Sequence, residues 1–193
     1  MSKIIFMGDS ITEYMPYIFK GKIGHNEDDE VKYYGVENIG VGTYMNYCWP
    51  KVDHRNVDTY ILLIGINNIA RPDCDYDERE TLEELVNKLK EFISQIVTSG
   101  ESQLLVQSIY PTDRIERINS IKTVNAQLEV YCNEIGVEYL DIYSLLVDDK
   151  ELLDPKYSND GIHPNEVGYS VIVNEINKHL KKDLSKKKVK INE

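Results

Sequence analysis

Residues 60–70 read YILLIGINNIA, and this stretch decides how the rest of the chain is organised. The apolar run at its start has the length and composition of a strand buried on both faces. Gly65 closes the run, and two amides, Asn67 and Asn68, stand side by side where the chain should leave the sheet. Working outward, similar short runs occur at 3–7 (KIIFM), 36–39 (VENI), 58–64 (DTYILLI), 103–109 (QLLVQSI) and 137–142 (VEYLDI), which are the five expected strands.

Helical periodicity fills the later gaps. Leu82, Leu85, Val86, Leu89, Phe92, Ile93, Ile96 and Val97 form one apolar stripe, with Thr81 and Glu84 spaced as a capping box and Gly100 as the stop. A second stripe carries Ile118, Ile121, Leu128 and Ile135 before Gly136, and a third carries Tyr169, Ile172, Val173, Ile176 and Leu180 after Pro164. Strands alternating with helices predict an α/β protein of the doubly wound type, a parallel sheet covered on both faces. The segments after the first two strands are the least regular, and HNEDDE at 25–30 reads as a solvated loop.

Composition bounds the function. The 193 residues, 41% hydrophobic and 28% charged, suit one domain, expected over 1–183, followed by a lysine-rich tail at 184–193. Residues 181–193 hold six lysines against two acids, so of the net −11 the remaining residues carry −15, a body that repels phosphate backbones. No nucleic-acid partner is therefore expected. No run reaches the ~18 apolar residues of a membrane span, and the apolar start is too short for a signal peptide, so membrane association is not expected and a cytoplasmic location is. Cys48, Cys74 and Cys132 are odd in number and widely separated, and His25, His54, His163 and His179 lack metal-ligand spacing. No metal and no cofactor are expected.

Ligands of open α/β sheets bind beyond the carboxyl ends of the strands. Four motifs fall there: GDSIT at 8–12, NIGVG at 38–42, GINN at 65–68 and DGIHP at 160–164. Ser10 follows a tight strand exit, and a serine hydroxyl becomes a nucleophile when a base takes its proton. His163 lies three residues after Asp160, a spacing that lets the carboxylate hold Nδ1 and leaves Nε2 as base. Gly40 offers a backbone N–H that no side chain obstructs, and Asn67 a neutral side-chain NH2, the donors that a developing oxyanion needs. Each residue singly also fits an ordinary turn or helix cap. Their order along the chain favours the catalytic reading.

On these four blocks the chain resembles the SGNH, or GDSL-type, hydrolases, a family of serine esterases and lipases. The resemblance implies a flavodoxin-like three-layer α/β/α sandwich with a five-stranded parallel sheet, a Ser10, His163 and Asp160 triad, and an oxyanion hole from Ser10 N–H, Gly40 N–H and Asn67 Nδ2. Asp9 and Asn68 would support these groups from behind. Position 68 departs from the family pattern, since many members carry aspartate there. With only a supporting role, Asn68→Asp is expected to leave turnover within about tenfold.

The activity this implies is hydrolysis of a carboxylic ester through an acyl-enzyme, on a small-molecule substrate. An acyltransferase, thioesterase or lysophospholipase would use the same residues. A flavodoxin-like binding protein for a flavin phosphate is the alternative outside hydrolysis, disfavoured by the charge of Asp9 and Glu13 in the first loop. Absence of a long apolar lid favours a short acyl group such as acetyl. Tyr44, Tyr47 and Trp49 could serve a sugar ring or the core, and RPDCDYDERE at 71–80 could line an acidic cleft that Arg71, Arg114 and Arg117 would offset. Oligomeric state is not legible.

Overall fold

The computed structural model describes residues 2–71 and 80–189, with side chains up to Leu180. Five parallel strands form one sheet in the order β2-β1-β3-β4-β5: β1 Lys3–Gly8, β2 Glu30–Gly35, β3 Thr59–Leu63, β4 Gln103–Gln107 and β5 Glu138–Leu140. Every residue of β1 and β3 is buried, as expected of central strands sandwiched between helices. Ile4 pairs with Val31 on one side and Thr59 on the other. From β1 the chain turns to one edge and then returns past β1 to β3. The sheet's switch point therefore lies between β1 and β3, where such folds bind ligands.

The second strand is not where the sequence pattern puts it. Residues 36–39 are a turn, and the strand is Glu30–Gly35, whose residues are all half-buried. An edge strand has a sheet neighbour on one side only, so it lacks the continuous apolar run that marks β1 and β3.

Helix α1 (Ser10–Ile18) follows β1 directly and is hidden in the sequence by Pro16, which disrupts the helical pattern from inside. After β2, a short turn α2 (Val41–Thr43) runs into a π-helical turn, Tyr44–Cys48. After β3 come α3 (Ile66–Ala70) and α4 (Leu82–Thr98), then α5 (Ile118–Ile135), α6 (Tyr143–Leu146) and α7 (Glu166–Val189). The expected capping box of α4 is present in full, and Gly136 ends α5 in the left-handed conformation. The α7 stripe, Tyr169, Ile172, Val173, Ile176 and Leu180, is buried throughout. Helices α1 and α7 pack together, as do α4 and α5. Right-handed crossovers put these two pairs on opposite faces of the sheet, giving three layers.

Two glycines are required by this geometry. A Cβ on Gly8 would stand 1.8 Å from the Leu63 carbonyl oxygen, so only glycine lets the end of β1 close against β3. Gly65 has φ +123°, a backbone state open to glycine, and it turns the chain from β3 into α3.

Asp9 joins β1 to α1. Its Oδ1 caps the helix by accepting from Ile11 N–H at 3.0 Å, while Oδ2 is buried without a hydrogen-bond partner. Burial raises its pKa to about 7, against the opposing pull of the Ile11 N–H and the His163 charge. From about pH 4 to 7 the folded chain thus keeps a proton that the unfolded chain has lost, and stability falls as pH rises through that window. At ~1.4 kcal/mol per pKa unit the cost above pH 7 is about 4 kcal/mol. Asp29, Asp53 and Asp160 have lowered pKa values, so their contributions are lost only at lower pH. Urea unfolding at pH 5 and pH 8 checks this: Asp9→Asn should be stabilised relative to wild type at pH 8 and much less so at pH 5. An equal difference at both values contradicts the assignment.

Candidate active site

Ser10 is the first residue of α1, set there by the Gly8–Asp9 exit from β1 and buried to 6% exposure. Its N–H belongs to the first helical turn and has no carbonyl to bond within the helix. The positive end of the α1 dipole faces the same point. Thus the residue that supplies a hydroxyl also supplies an outward-facing amide.

His163 reaches Ser10 from the loop that follows α6. Nε2 lies 3.0 Å from Ser10 Oγ, and Nδ1 lies 2.7 Å from Asp160 Oδ2. Asp160 Oδ1 in turn accepts from the N–H groups of Ile162 and His163 at 2.9 and 2.8 Å. Burial would raise the Asp160 pKa, but the bonds from the His163 ring and these amides outweigh it and bring it to about 2. Asp160 is therefore an ionised acceptor at neutral pH. It requires the proton on Nδ1, which leaves the Nε2 lone pair facing the serine hydroxyl.

Local chemistry shapes this loop. Ser158 Oγ accepts from Gly161 N–H at 3.0 Å and donates to the His163 carbonyl at 2.8 Å, and a bridge joins Ser158 to Pro164. Asp113 N–H bonds the Gly161 carbonyl at 2.9 Å, tying the loop to the exit of β4. The Tyr14 ring lies 5.0 Å from that of His163, centroid to centroid, at 50°. Ser158 is a structural member that sequence reasoning passes over, although it begins the SNDGIHP run.

The two asparagines of the opening stretch hold the strip Ile39–Gly40–Val41 from both sides. Asn67 Nδ2 donates to the Ile39 carbonyl at 3.0 Å, and Asn68 Oδ1 accepts from Val41 N–H at 3.0 Å. Arg71 adds a bond to the Asn38 carbonyl at 2.9 Å. Gly40 sits buried between these fixed points, and Asn67 keeps a second amide hydrogen beyond the one given to Ile39.

Beside His163 opens a small cleft of about 270 Å³, lined by Tyr14, Ile18, Asn159, Asp160, Pro164 and Glu166 among others. The aromatic residues expected near it divide. Tyr44 is fully buried and Trp49 packs against His54, Tyr60 and Phe92, so both belong to the core, whereas Tyr47 is exposed. Arg114 is exposed beside Asp113, and Arg117 is half-buried. Of the acidic stretch at 71–80, residues 72–79, with Cys74, lie outside the described residues. His54 and His179 serve structural contacts, with Tyr60 and the Trp49 carbonyl and with Glu138 and Glu175. Among the described residues no group of His, Cys, Asp and Glu could hold a metal ion, and no helix is long and apolar enough to cross a membrane.

Comparison with known proteins bears on this arrangement. The chain is 23% identical to an acetylxylan esterase of Xylanibacter ruminicola over 86% of its own length and 40% of that protein. It is 27% identical to an N-acylneuraminate cytidylyltransferase of Escherichia coli over 91% of its length and 40% of that protein. It spans less than half the length of the curated relatives it matches. The structure of a GDSL-like lipase from Bacteroides thetaiotaomicron superposes with TM-score 0.77 at 18% identity, covering 94% of this chain and 89% of that one, which establishes a shared fold. Residues 6–171 match the model of one family across the whole of the site just described, and the chain belongs to the GDSL-like lipase/acylhydrolase family.

Proposed function

We propose that this chain hydrolyses carboxylic esters of small molecules through an acyl-enzyme on Ser10. The observation that carries the reading is the continuous hydrogen-bonded line from Ser10 Oγ through His163 to Asp160, at 3.0 and 2.7 Å. In the first step Oγ attacks the ester carbonyl carbon while Nε2 takes its proton. The tetrahedral oxyanion is met by Ser10 N–H, Gly40 N–H and the second hydrogen of Asn67 Nδ2, donors arranged before the charge develops. Collapse expels the alcohol, which leaves with the proton held on His163. Water then attacks the acyl-enzyme, with His163 as base again.

The acyl group of this reading is a short one such as acetyl. The relative named an acetylxylan esterase supports the same choice. With Tyr44 and Trp49 in the core, Tyr14, whose ring lies against that of His163, is placed to meet a substrate ring. Transfer of the acyl group to an acceptor other than water, or cleavage of a thioester, would employ the same groups, and product analysis with competing acceptors separates them.

Steady-state assays on nitrophenyl esters of increasing chain length and on acetylated sugars should show the highest kcat/KM for the shortest acyl group. Ser10→Ala should abolish turnover, and undiminished hydrolysis by that purified variant rejects the nucleophile. Asn67→Ala should lower kcat by ~10²- to 10³-fold with a smaller change in KM. A KM effect with kcat preserved would assign Asn67 to ground-state binding instead.

A further inference from the structure

Two partners of Asn68 have opposite character. Val41 N–H can only donate, and it meets Asn68 Oδ1 at 3.0 Å; the Glu80 carboxylate accepts, and it meets Asn68 Nδ2 at 2.7 Å. The orientation of the amide is therefore dictated by its neighbours, and an amide is the group that satisfies both at once. Glu80 is itself anchored by Lys88 of α4, Nζ to Oε1 at 2.9 Å, with its side chain only 4% exposed. Asn68 is 3% exposed.

We infer that Glu80 is a positioning residue for the oxyanion strip, acting through Asn68 on Val41 and hence on the adjacent Gly40 N–H. The inference rests on the ester-hydrolysis reading, in which Gly40 is a donor. Val41 opens α2, so its N–H has no partner within the helix and depends on Asn68. Without Glu80 the Asn68 amide loses a charged acceptor that orients it, and the restraint it places on Val41 is weakened. A displaced preorganised donor costs rate while leaving ground-state binding little changed.

The pairing also alters what is expected of Asn68→Asp. The introduced carboxylate still accepts from Val41 but turns its second oxygen toward Glu80, where now an N–H donates. The expectation of a change within about tenfold took no account of this partner, and the loss should be larger. Reversing the polarity of the pair repairs it: in Asn68→Asp/Glu80→Gln the new glutamine amide donates to the new carboxylate, and its oxygen remains available to Lys88.

The test is a double-mutant cycle read in kcat and KM on a short nitrophenyl ester, with folding verified by circular dichroism and Ser10→Ala run alongside. Asn68→Asp should lose roughly ten- to a hundredfold in kcat with KM within about twofold. Adding Glu80→Gln should restore most of that loss. A double variant no more active than Asn68→Asp overturns the inference. Glu80→Ala, which leaves Asn68 intact, should speed hydrogen exchange at the Val41 amide and lower kcat, and unchanged exchange there overturns it independently. Turnover surviving in Ser10→Ala would instead reject the ester-hydrolysis reading itself, whatever the cycle shows.

Discussion

The grip of Asn67 and Asn68 on the strip from Ile39 to Val41 is the interaction on which the site depends. One amide donates to the strip's carbonyl and the other accepts from its N–H, so the backbone on either side of Gly40 is held in both directions. Adjacent residues can do this because Gly65 turns the chain sharply at the end of β3 and starts α3 there, which sends the two side chains to different points of one loop. The loop follows the edge strand β2, which has a sheet neighbour on one side only. Without the grip, the donor expected at Gly40 would rest on a connection that the sheet does little to fix.

The same edge brings the other half of the site into place. Gly8 lets β1 close on β3, Asp9 caps α1, and Ser10 emerges at the head of the helix where an oxyanion is favoured. Asp9 complicates this favour. A full negative charge beside the proposed nucleophile would oppose the developing oxyanion, but burial holds the Asp9 pKa near 7, so the group is partly neutral under ordinary conditions. Asp160 lies at the other extreme, bonded and strongly ionised, where it can balance a protonated His163. The two aspartates beside the site thus have opposite environments, one partly protonated and the other ionised near neutral pH.

The parts legible in the sequence are those whose signal is local. Fully buried strands such as β1 and β3 show as continuous apolar runs, and α4 announces itself through Thr81, Glu84 and its stripe. The edge strand Glu30–Gly35 escapes because its half-buried residues mix glutamate and lysine with valine and tyrosine and form no apolar run, whereas VENI beyond it begins and ends on an apolar residue. Helix α1 escapes because of Pro16. At the site, Ser10, Gly40, Asn67, Asp160 and His163 are visible as motifs, and the fold brings their loops to one edge. Glu80 is not visible, because its role comes from a tertiary pairing with Asn68 that has no spacing rule. Tyr44 and Trp49 cannot be assigned between core and cleft until packing decides for the core.

The most direct measurement is mass spectrometry of the protein after inactivation by a short-chain nitrophenyl phosphonate, a tetrahedral phosphorus ester that a serine nucleophile attacks and retains. The account predicts one phosphonyl group per chain, located on Ser10, with modification and loss of esterase activity following the same time course. Complete inactivation with the label on another residue, or continuing hydrolysis by chains fully labelled at Ser10, would contradict it.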